Sequence, residues 1–253
     1  MSYPIIDTIP ILWGDLAGYL SNRPRLGGEM LVSAKHPKMR SFIKNALSKT
    51  RKVTSDASIM EKHWAGIYQK NQRASFYGVI KKAIPRKMGL SLEHGCATGT
   101  VTKHLAKNSE WAFGIDKSWY GIREAKKANQ KNLDYVVADS LEQPFGKTKF
   151  DLVMGLNLLE LIEPKSLVRI LAEQVQKNGT LILSDPYDFE RGEKSIKEPL
   201  YENELRREIT NLGLAILPKT KRPSFHKWTL TLNKRASLHY LVDLVVAKNV
   251  GKS

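Results

Sequence analysis

Leu90-Ser91-Leu92-Glu93-His94-Gly95-Cys96-Ala97-Thr98-Gly99-Thr100 decides the fold of this chain. An apolar run, Leu90–Glu93, reads as a strand and turns within a few residues into a segment whose Val101 and Leu105 share one helical face. A strand-to-helix turn that tight needs glycine where backbone dihedrals turn positive or where a ligand approaches the main chain. The free N–H groups at the start of the following helix then face the crevice at the strand ends. A dinucleotide fingerprint reads Gly-x-Gly-x-x-Gly, whereas this loop reads Glu93-x-Gly95-x-Ala97-x-Gly99. A leading acid in place of the pyrophosphate glycines suits a cationic amine better than a diphosphate.

Outward from the loop, short apolar runs alternate with amphipathic segments, the pattern of a mostly parallel sheet covered by helices on both faces. Strands are predicted near Leu90–Glu93, Ala112–Asp116, Tyr135–Asp139, Phe150–Leu156 and Thr180–Asp185. Ile122, Ala125 and Ala128 mark the second helix. A further helix starts at Pro164, carries Leu167, Ile170, Leu171 and Val175 on one stripe, and is expected to stop at Asn178-Gly179. Another runs through Leu205, Ile209 and Leu212. Trp228–Leu232 and Leu238–Ala247 should pair antiparallel. The expected architecture is α/β: a doubly wound, mostly parallel seven-stranded sheet with an antiparallel C-terminal hairpin and an irregular or helical N-terminal segment. Before residue 60, prolines and glycines (Pro4, Pro10, Pro24, Gly27, Gly28, Pro37) should keep helices short, with two turns at Ser41–Leu47. Asp56 or Ser58 would cap a helix carrying Ile59, Trp64, Ile67 and Tyr68, and Pro85 would stop the run Phe76–Ile84.

The loop resembles motif I of class I S-adenosylmethionine-dependent methyltransferases, Asp/Glu-x-Gly-x-Gly-x-Gly, with Ala97 where the middle glycine is commonest. The resemblance covers roughly Glu61 to Lys248 and divides the chain into a basic N-terminal extension, 1–60, and a cofactor-binding methyltransferase domain, 61–250. It implies that Gly95, Cys96, Ala97 and Gly99 line the cofactor, S-adenosylmethionine, and that Glu93 supports the loop and the methionine amino group. Asp116 and Asp139 follow at equal spacings of 23 residues, one strand-helix unit each, so all three carboxylates should emerge at one sheet edge. Asp116 then resembles the acid that accepts both ribose hydroxyls, and Asp139, with Ser140 beside it, the residue that binds the adenine amino group. An acid at a strand end is also an ordinary helix cap. Phe150–Asn157 resembles motif IV, whose end lies near the transferable methyl, which implicates Asn157 and Leu158; Asp151 is expected to be structural.

Ser184-Asp185-Pro186-Tyr187 partly matches the Asp/Asn-Pro-Pro-Tyr/Phe motif of base amino-methyltransferases. It follows the fifth strand instead of the fourth and lacks the second proline, so base N-methylation is set aside, with Asp185, Tyr187 and Asp188 kept as substrate-side candidates. Cys96 is expected to fill small space. No side chain stands out as a general base, and the catalytic residue is unassigned. Trp64, Tyr68, Phe76 and Tyr77 could cover the cofactor or simply pack the core.

Composition narrows the partners. Among 253 residues, 42% are hydrophobic and 26% charged, ordinary globular values that exclude a disordered or coiled-coil chain. One cysteine excludes a disulfide framework or a Cys-cluster metal site, and the six histidines show no ligand spacing, so no metal is expected. The apolar stretch Phe150–Ile162 is too short and too polar for a bilayer, so no membrane is expected. No basic patch followed by an apolar run marks a secretory signal, and a cytoplasmic setting is expected.

With 41 Lys and Arg against 25 Asp and Glu, the formal charge is +16. Between Val32 and Lys52 lie Lys35, Lys38, Arg40, Lys44, Lys49, Arg51 and Lys52 with no acid; between Leu217 and Arg235 lie Lys219, Lys221, Arg222, Lys227, Lys234 and Arg235, again with none. Phe42, Phe225 and Trp228 intersperse them. The stretches could track a phosphate backbone or be a solvated face. The reading is a methyltransferase acting on RNA or a small acidic metabolite ahead of protein. Its competitors are a non-catalytic methyltransferase-like module that binds RNA or docks a partner, and a nucleotide-dependent dehydrogenase, which fits the fold but not the loop.

Overall fold

Strand β3 (Met88–His94) lies in the middle of the sheet, hydrogen-bonded in parallel to β4 (Ser109–Asp116) on one side and to β6 (Phe150–Leu156) on the other. β5 (Leu133–Ala138) continues in parallel beyond β4, and β7 (Val175–Asp185) beyond β6. The computed structural model describes residues 3–51, 56–128, 130–191 and 196–251. Lys52 of the first basic stretch and residues 192–195 of the Asp185–Pro199 segment lie outside the described residues.

Strands buried on both faces read as continuous apolar runs, and alternate residues of β6 and β7 serve opposite cores. Leu152, Met154 and Ile182 pack with helices α4 (Ala57–Lys70) and α5 (Ser75–Ala83), which contribute Ile67, Phe76 and Ile80. Val153, Leu181 and Leu183 pack with α8 (Pro164–Gln174) and α9 (Glu202–Asn211) through Leu167, Leu171, Leu205 and Ile209. Asp151 accepts hydrogen bonds from the Gly89 and Leu90 amides at 2.8 and 2.9 Å and from the Gln176 side chain, tying together the starts of three strands. Trp64 and Tyr68 join an aromatic cluster around the buried Trp228, whose ring stacks on Tyr68 and contacts Phe76 and Tyr77.

At the other edge β10 (Ala236–Asn249) runs antiparallel to β7, with Asp243 opposite Asp185, and pairs through its first half with β9 (His226–Asn233) as the expected hairpin. The described residues form ten strands where seven are expected. The additions are β1 (Ile5–Ile6), β2 (Ile9–Leu12) and β8 (Leu214–Ile216). Each is too short to display a period of two. β2 pairs in parallel with β5, so the N-terminal segment extends the sheet.

That segment is also more helical than its prolines and glycines suggest, with α1 (Leu16–Ser21), α2 (Pro24–Ser33) and α3 (Pro37–Ser48). Pro24 and Pro37 open their helices, where the missing N–H has no partner to lose. Gly27 within α2 gives way to α3: a Cβ there would meet Leu47 Cδ2 at 2.5 Å.

Three helix boundaries differ from expectation. The first helix after the loop is a single turn, α6 (Thr102–Leu105), and the next, α7 (Trp119–Ala125), ends before Ala128. α8 ends at Gln174, not at Asn178-Gly179, and Val175 opens β7. Asn178, at φ +65°, sits in an irregularity of that strand, where the register against β6 shifts. An Asn-Gly pair provides left-handed backbone equally well for a helix stop or a strand irregularity.

Candidate functional site

Positive φ recurs at every second residue of the loop: +65° at Gly95, +47° at Ala97 and +69° at Gly99. The two glycines are also pinned sterically. A Cβ at Gly95 would lie 2.4 Å from Leu158 Cδ2, and one at Gly99 would lie 2.3 Å from the Tyr135 hydroxyl oxygen. Ala97 takes the left-handed conformation without a glycine, at a cost of about 1–2 kcal/mol. Its amide donates to Asp116 Oδ2 at 2.8 Å, the Cys96 amide donates to the Ile115 carbonyl at 2.9 Å, and the Gly99 amide closes back on the Cys96 carbonyl.

The three acids form a staircase. Glu93 stands opposite Gly114, two residues before Asp116; Asp116 stands opposite Val137, two residues before Asp139. Each step of two keeps the side chain on the same sheet face while moving it outward along the strands. Glu93 is the deepest, 3% exposed, and accepts a hydrogen bond from the Thr102 hydroxyl. Burial pushes its carboxyl up to about 8. Asp116 is half-buried; burial raises its carboxyl pKa, while the Ser118 and Ala97 amides oppose the rise by bonding the charged form. Asp139 is also half-buried and accepts from the Leu141 amide, capping the turn Ser140–Glu142 in which Ser140 is buried.

Asn157 follows β6 with φ +56°; its amide donates to the Ser184 carbonyl and its Oδ1 accepts from the Ser184 hydroxyl. Leu158 packs on Gly95, which joins the end of β6 to the loop. Cys96 is buried beside Gly114, and burial, with Asp116 and Glu93 nearby, pushes its thiol well up, so it fills space.

Asp185 and Tyr187 turn inward. Asp185 is completely buried and its oxygens accept from the Leu159 and Tyr187 amides, each at 2.8 Å; burial, then the neighbouring Glu160, pushes its carboxyl up to about 8. The Tyr187 hydroxyl donates to Asp243 Oδ2 at 2.8 Å, and Asp243 is gripped by Arg206 at 2.7 and 3.1 Å and by the Ser224 amide. Asp243 carried a signal in the sequence, a lone acid inside the apolar run Leu241–Val246, although its partner was not identifiable there.

Groups from the N-terminal segment stand beside Asp116, and no motif announced them. The Tyr19 hydroxyl donates to the Lys117 carbonyl at 2.8 Å; Arg23 lies 4.2 Å over the Tyr19 ring and pairs with Glu61 at 2.6 Å. Among the described residues no group of three or more His, Cys, Asp or Glu side chains could hold a metal ion, and no helix is long and apolar enough to cross a membrane.

The sequence profile of a family described as "Methyltransferase domain" matches residues 92–177, from the end of β3 into β7. No curated protein matches the chain in sequence. Among solved structures, a chain of the complex between the Haloferax volcanii Trm112 methyltransferase activator and a protein described as a methyltransferase aligns at TM-score 0.57 and 14% identity, covering 75% of this chain and 97% of that one. Magnesium protoporphyrin IX methyltransferase from Synechocystis, solved with bound S-adenosylhomocysteine, aligns at 0.54 and 16%, covering 74% and 92%. Precorrin 8w decarboxylase from Methanobacterium thermoautotrophicum aligns at 0.50 and 17%, covering 68% and 89%. Identities this low speak for the fold alone, and a decarboxylase among the neighbours illustrates why the reaction must be argued from the site. Residues 92–177 thus match the methyltransferase-domain profile, and the chain around them has the fold these solved methyltransferases share.

Proposed function

We propose that this chain binds S-adenosylmethionine and transfers its methyl group to an acceptor, with RNA or a small acidic metabolite ahead of a protein side chain. The observation that carries the proposal is the staircase of Glu93, Asp116 and Asp139 on one sheet face beside a left-handed loop whose Ala97 amide is locked to Asp116. The group fits these residues. Carboxylates accept from hydroxyls, an amino group and an ammonium, and the buried Thr98 hydroxyl within the loop finds no partner among the described residues.

Asp116 would hold the ribose hydroxyls, Asp139 with Ser140 the adenine amino group, the Gly95–Gly99 backbone the methionine part, and Asn157 with Leu158 the surroundings of the methyl. Bound there, the cofactor supplies an electrophilic methyl on a sulfonium. The protein's own work is then positioning, because alignment at attack distance supplies on the order of 7–11 kcal/mol of such barriers. Glu93, its carboxyl pushed up to about 8 by burial, braces the turn through Thr102.

The polyanion preference rests on the surface. Lys35, Lys38, Arg40, Lys44, Lys49 and Arg51 are all exposed, and none pairs with an acid among the described residues. α3, which carries Lys38, Arg40 and Lys44, packs on α1, whose Tyr19 bonds the Lys117 carbonyl.

Calorimetric titration with S-adenosylmethionine, S-adenosylhomocysteine and NAD tests the cofactor. The first two should bind and NAD should not, and Asp116→Asn should weaken binding roughly ten- to a hundredfold. Binding of NAD alone would overturn the proposal. Incorporation of labelled methyl into RNA or metabolite fractions from cells lacking the protein then identifies the acceptor; cofactor binding with no transfer to any fraction would favour a non-catalytic module.

A further inference from the structure

We propose that Trp13 forms the outer wall of the nucleoside end of this site, brought there by a strand that lies outside the family's matched region; the inference rests on the cofactor reading above. β2 pairs in parallel with β5 in the register Ile11 to Val137 and Leu12 to Ala138. Trp13 and Asp139 are the residues that follow the last pair of this parallel ladder, so β2 delivers a fourth strand end to the edge where Glu93, Asp116 and Asp139 emerge. The turn that follows lies against the turn capped by Asp139: the Cβ position of Gly14 is 4.0 Å from Glu142 Oε2.

Trp13 then contacts Tyr19, ring centroids 4.5 Å apart at 37°, and the Tyr19 hydroxyl is fixed to the carbonyl of Lys117, the residue after Asp116. The pair thus reaches from the end of β5 to the end of β4, across the gap that separates the proposed adenine and ribose acids. Tyr19 is buried and held from behind by Arg23, itself paired with Glu61, so the platform is rigid where Trp13 leans on it. Trp13 is only half-buried. The indole packs on one side against Tyr19 and the apolar cluster that holds Ile9, Ile11 and Val137, and the part of it left open lies at the strand ends. It is well explained as a surface on which a purine stacks while Asp139 selects the amino group.

Stacking of one base on one aromatic side chain is worth about ten- to a hundredfold in affinity. The wall touches the base, not the amino-acid half, so its loss should weaken adenosine and S-adenosylhomocysteine by the same factor. The test is calorimetry of the full chain with both ligands for wild type, Trp13→Phe, Trp13→Ala and Trp111→Ala, the last removing an exposed indole near the opposite end of β4. Trp13→Ala should lose about ten- to a hundredfold for both ligands, Trp13→Phe no more than about threefold, and Trp111→Ala nothing.

Ligand-induced change in tryptophan fluorescence gives a second readout, which should be largely lost in Trp13→Phe; it decides the matter if Trp13→Ala does not fold. Wild-type affinity in folded Trp13→Ala, or an undiminished fluorescence response in Trp13→Phe, overturns the wall and leaves the cofactor reading intact. A wild-type chain that binds neither ligand overturns the cofactor reading, and the wall with it.

Discussion

Replacing Gly99 by alanine adds two separate penalties to the strand-to-helix turn. At φ +69° an L-residue costs about 1–2 kcal/mol relative to glycine. The new methyl would also lie 2.3 Å from the Tyr135 hydroxyl and 2.7 and 2.9 Å from ring carbons behind it, in a side chain that is 1% exposed and cannot swing into solvent. Overpacking of that kind costs about 1–3 kcal/mol. Gly99→Ala should therefore lose about 2–5 kcal/mol of stability, or about 4–20 °C in melting temperature for a chain of this size.

Two companion variants separate the terms. Gly99→Ala with Tyr135→Phe should recover only part of the steric share, because removing the oxygen leaves the ring carbons in place. Ala97→Gly, in the same loop at φ +47°, should stay within about 1 kcal/mol of wild type, since relief of strain and extra unfolded-state entropy nearly cancel. Urea and thermal unfolding followed by circular dichroism measure all three. A Gly99→Ala protein as stable as wild type would mean that the loop does not sit on Tyr135 in this conformation, and the placement of the cofactor edge would fall with it.

Glu93 and Asp185, both raised to about 8 in the fold, bind protons that the unfolded chain has released above about pH 4–5, so their favourable contribution is lost as pH rises through 8. His94, lowered to about 4 by burial, acts oppositely only below about pH 6.5. Stability measured by urea unfolding should thus fall from pH 6.5 to 8.5, less steeply in Glu93→Gln; a rise in the wild type over that interval would contradict it. Asp243→Ala should cost about 3–5 kcal/mol by stranding the buried Arg206, and a Leu pair at both positions should melt above that single variant. If the proposed acceptor is RNA, neutralising Lys38, Arg40 and Lys44 together should lower the log–log salt slope of single-stranded RNA binding by about 2; an unchanged slope would remove α3 from the proposed RNA surface.

The five central strands, the C-terminal hairpin and the positions of the three acids were legible because each rests on local signals. β6 is an apolar run broken only by Asp151 at its start, Gly95 and Gly99 mark a turn, and equal spacing reports equal strand-helix units. β1, β2 and β8 were not legible, since a strand of two to four residues has no period and exists only where a neighbour offers an open edge. The end of α8 was misjudged at Asn178-Gly179 for a related reason, because a left-handed pair marks a break in regular backbone without saying which element it breaks. Asp185 looked available in the sequence and is wholly internal in the fold, bonded to the amides of Leu159 and Tyr187.

Local chemistry therefore determined the order of elements, the loop and the acids, because backbone preference and hydrophobic period act between near neighbours in the chain. Only tertiary structure decided that Tyr19, Arg23 and Glu61 gather beside Asp116, because that proximity arises from α1 closing over the strand ends while β2 joins the edge of β5. Such pairings are selected by the burial of distant surfaces against one another, and no spacing along the chain encodes them.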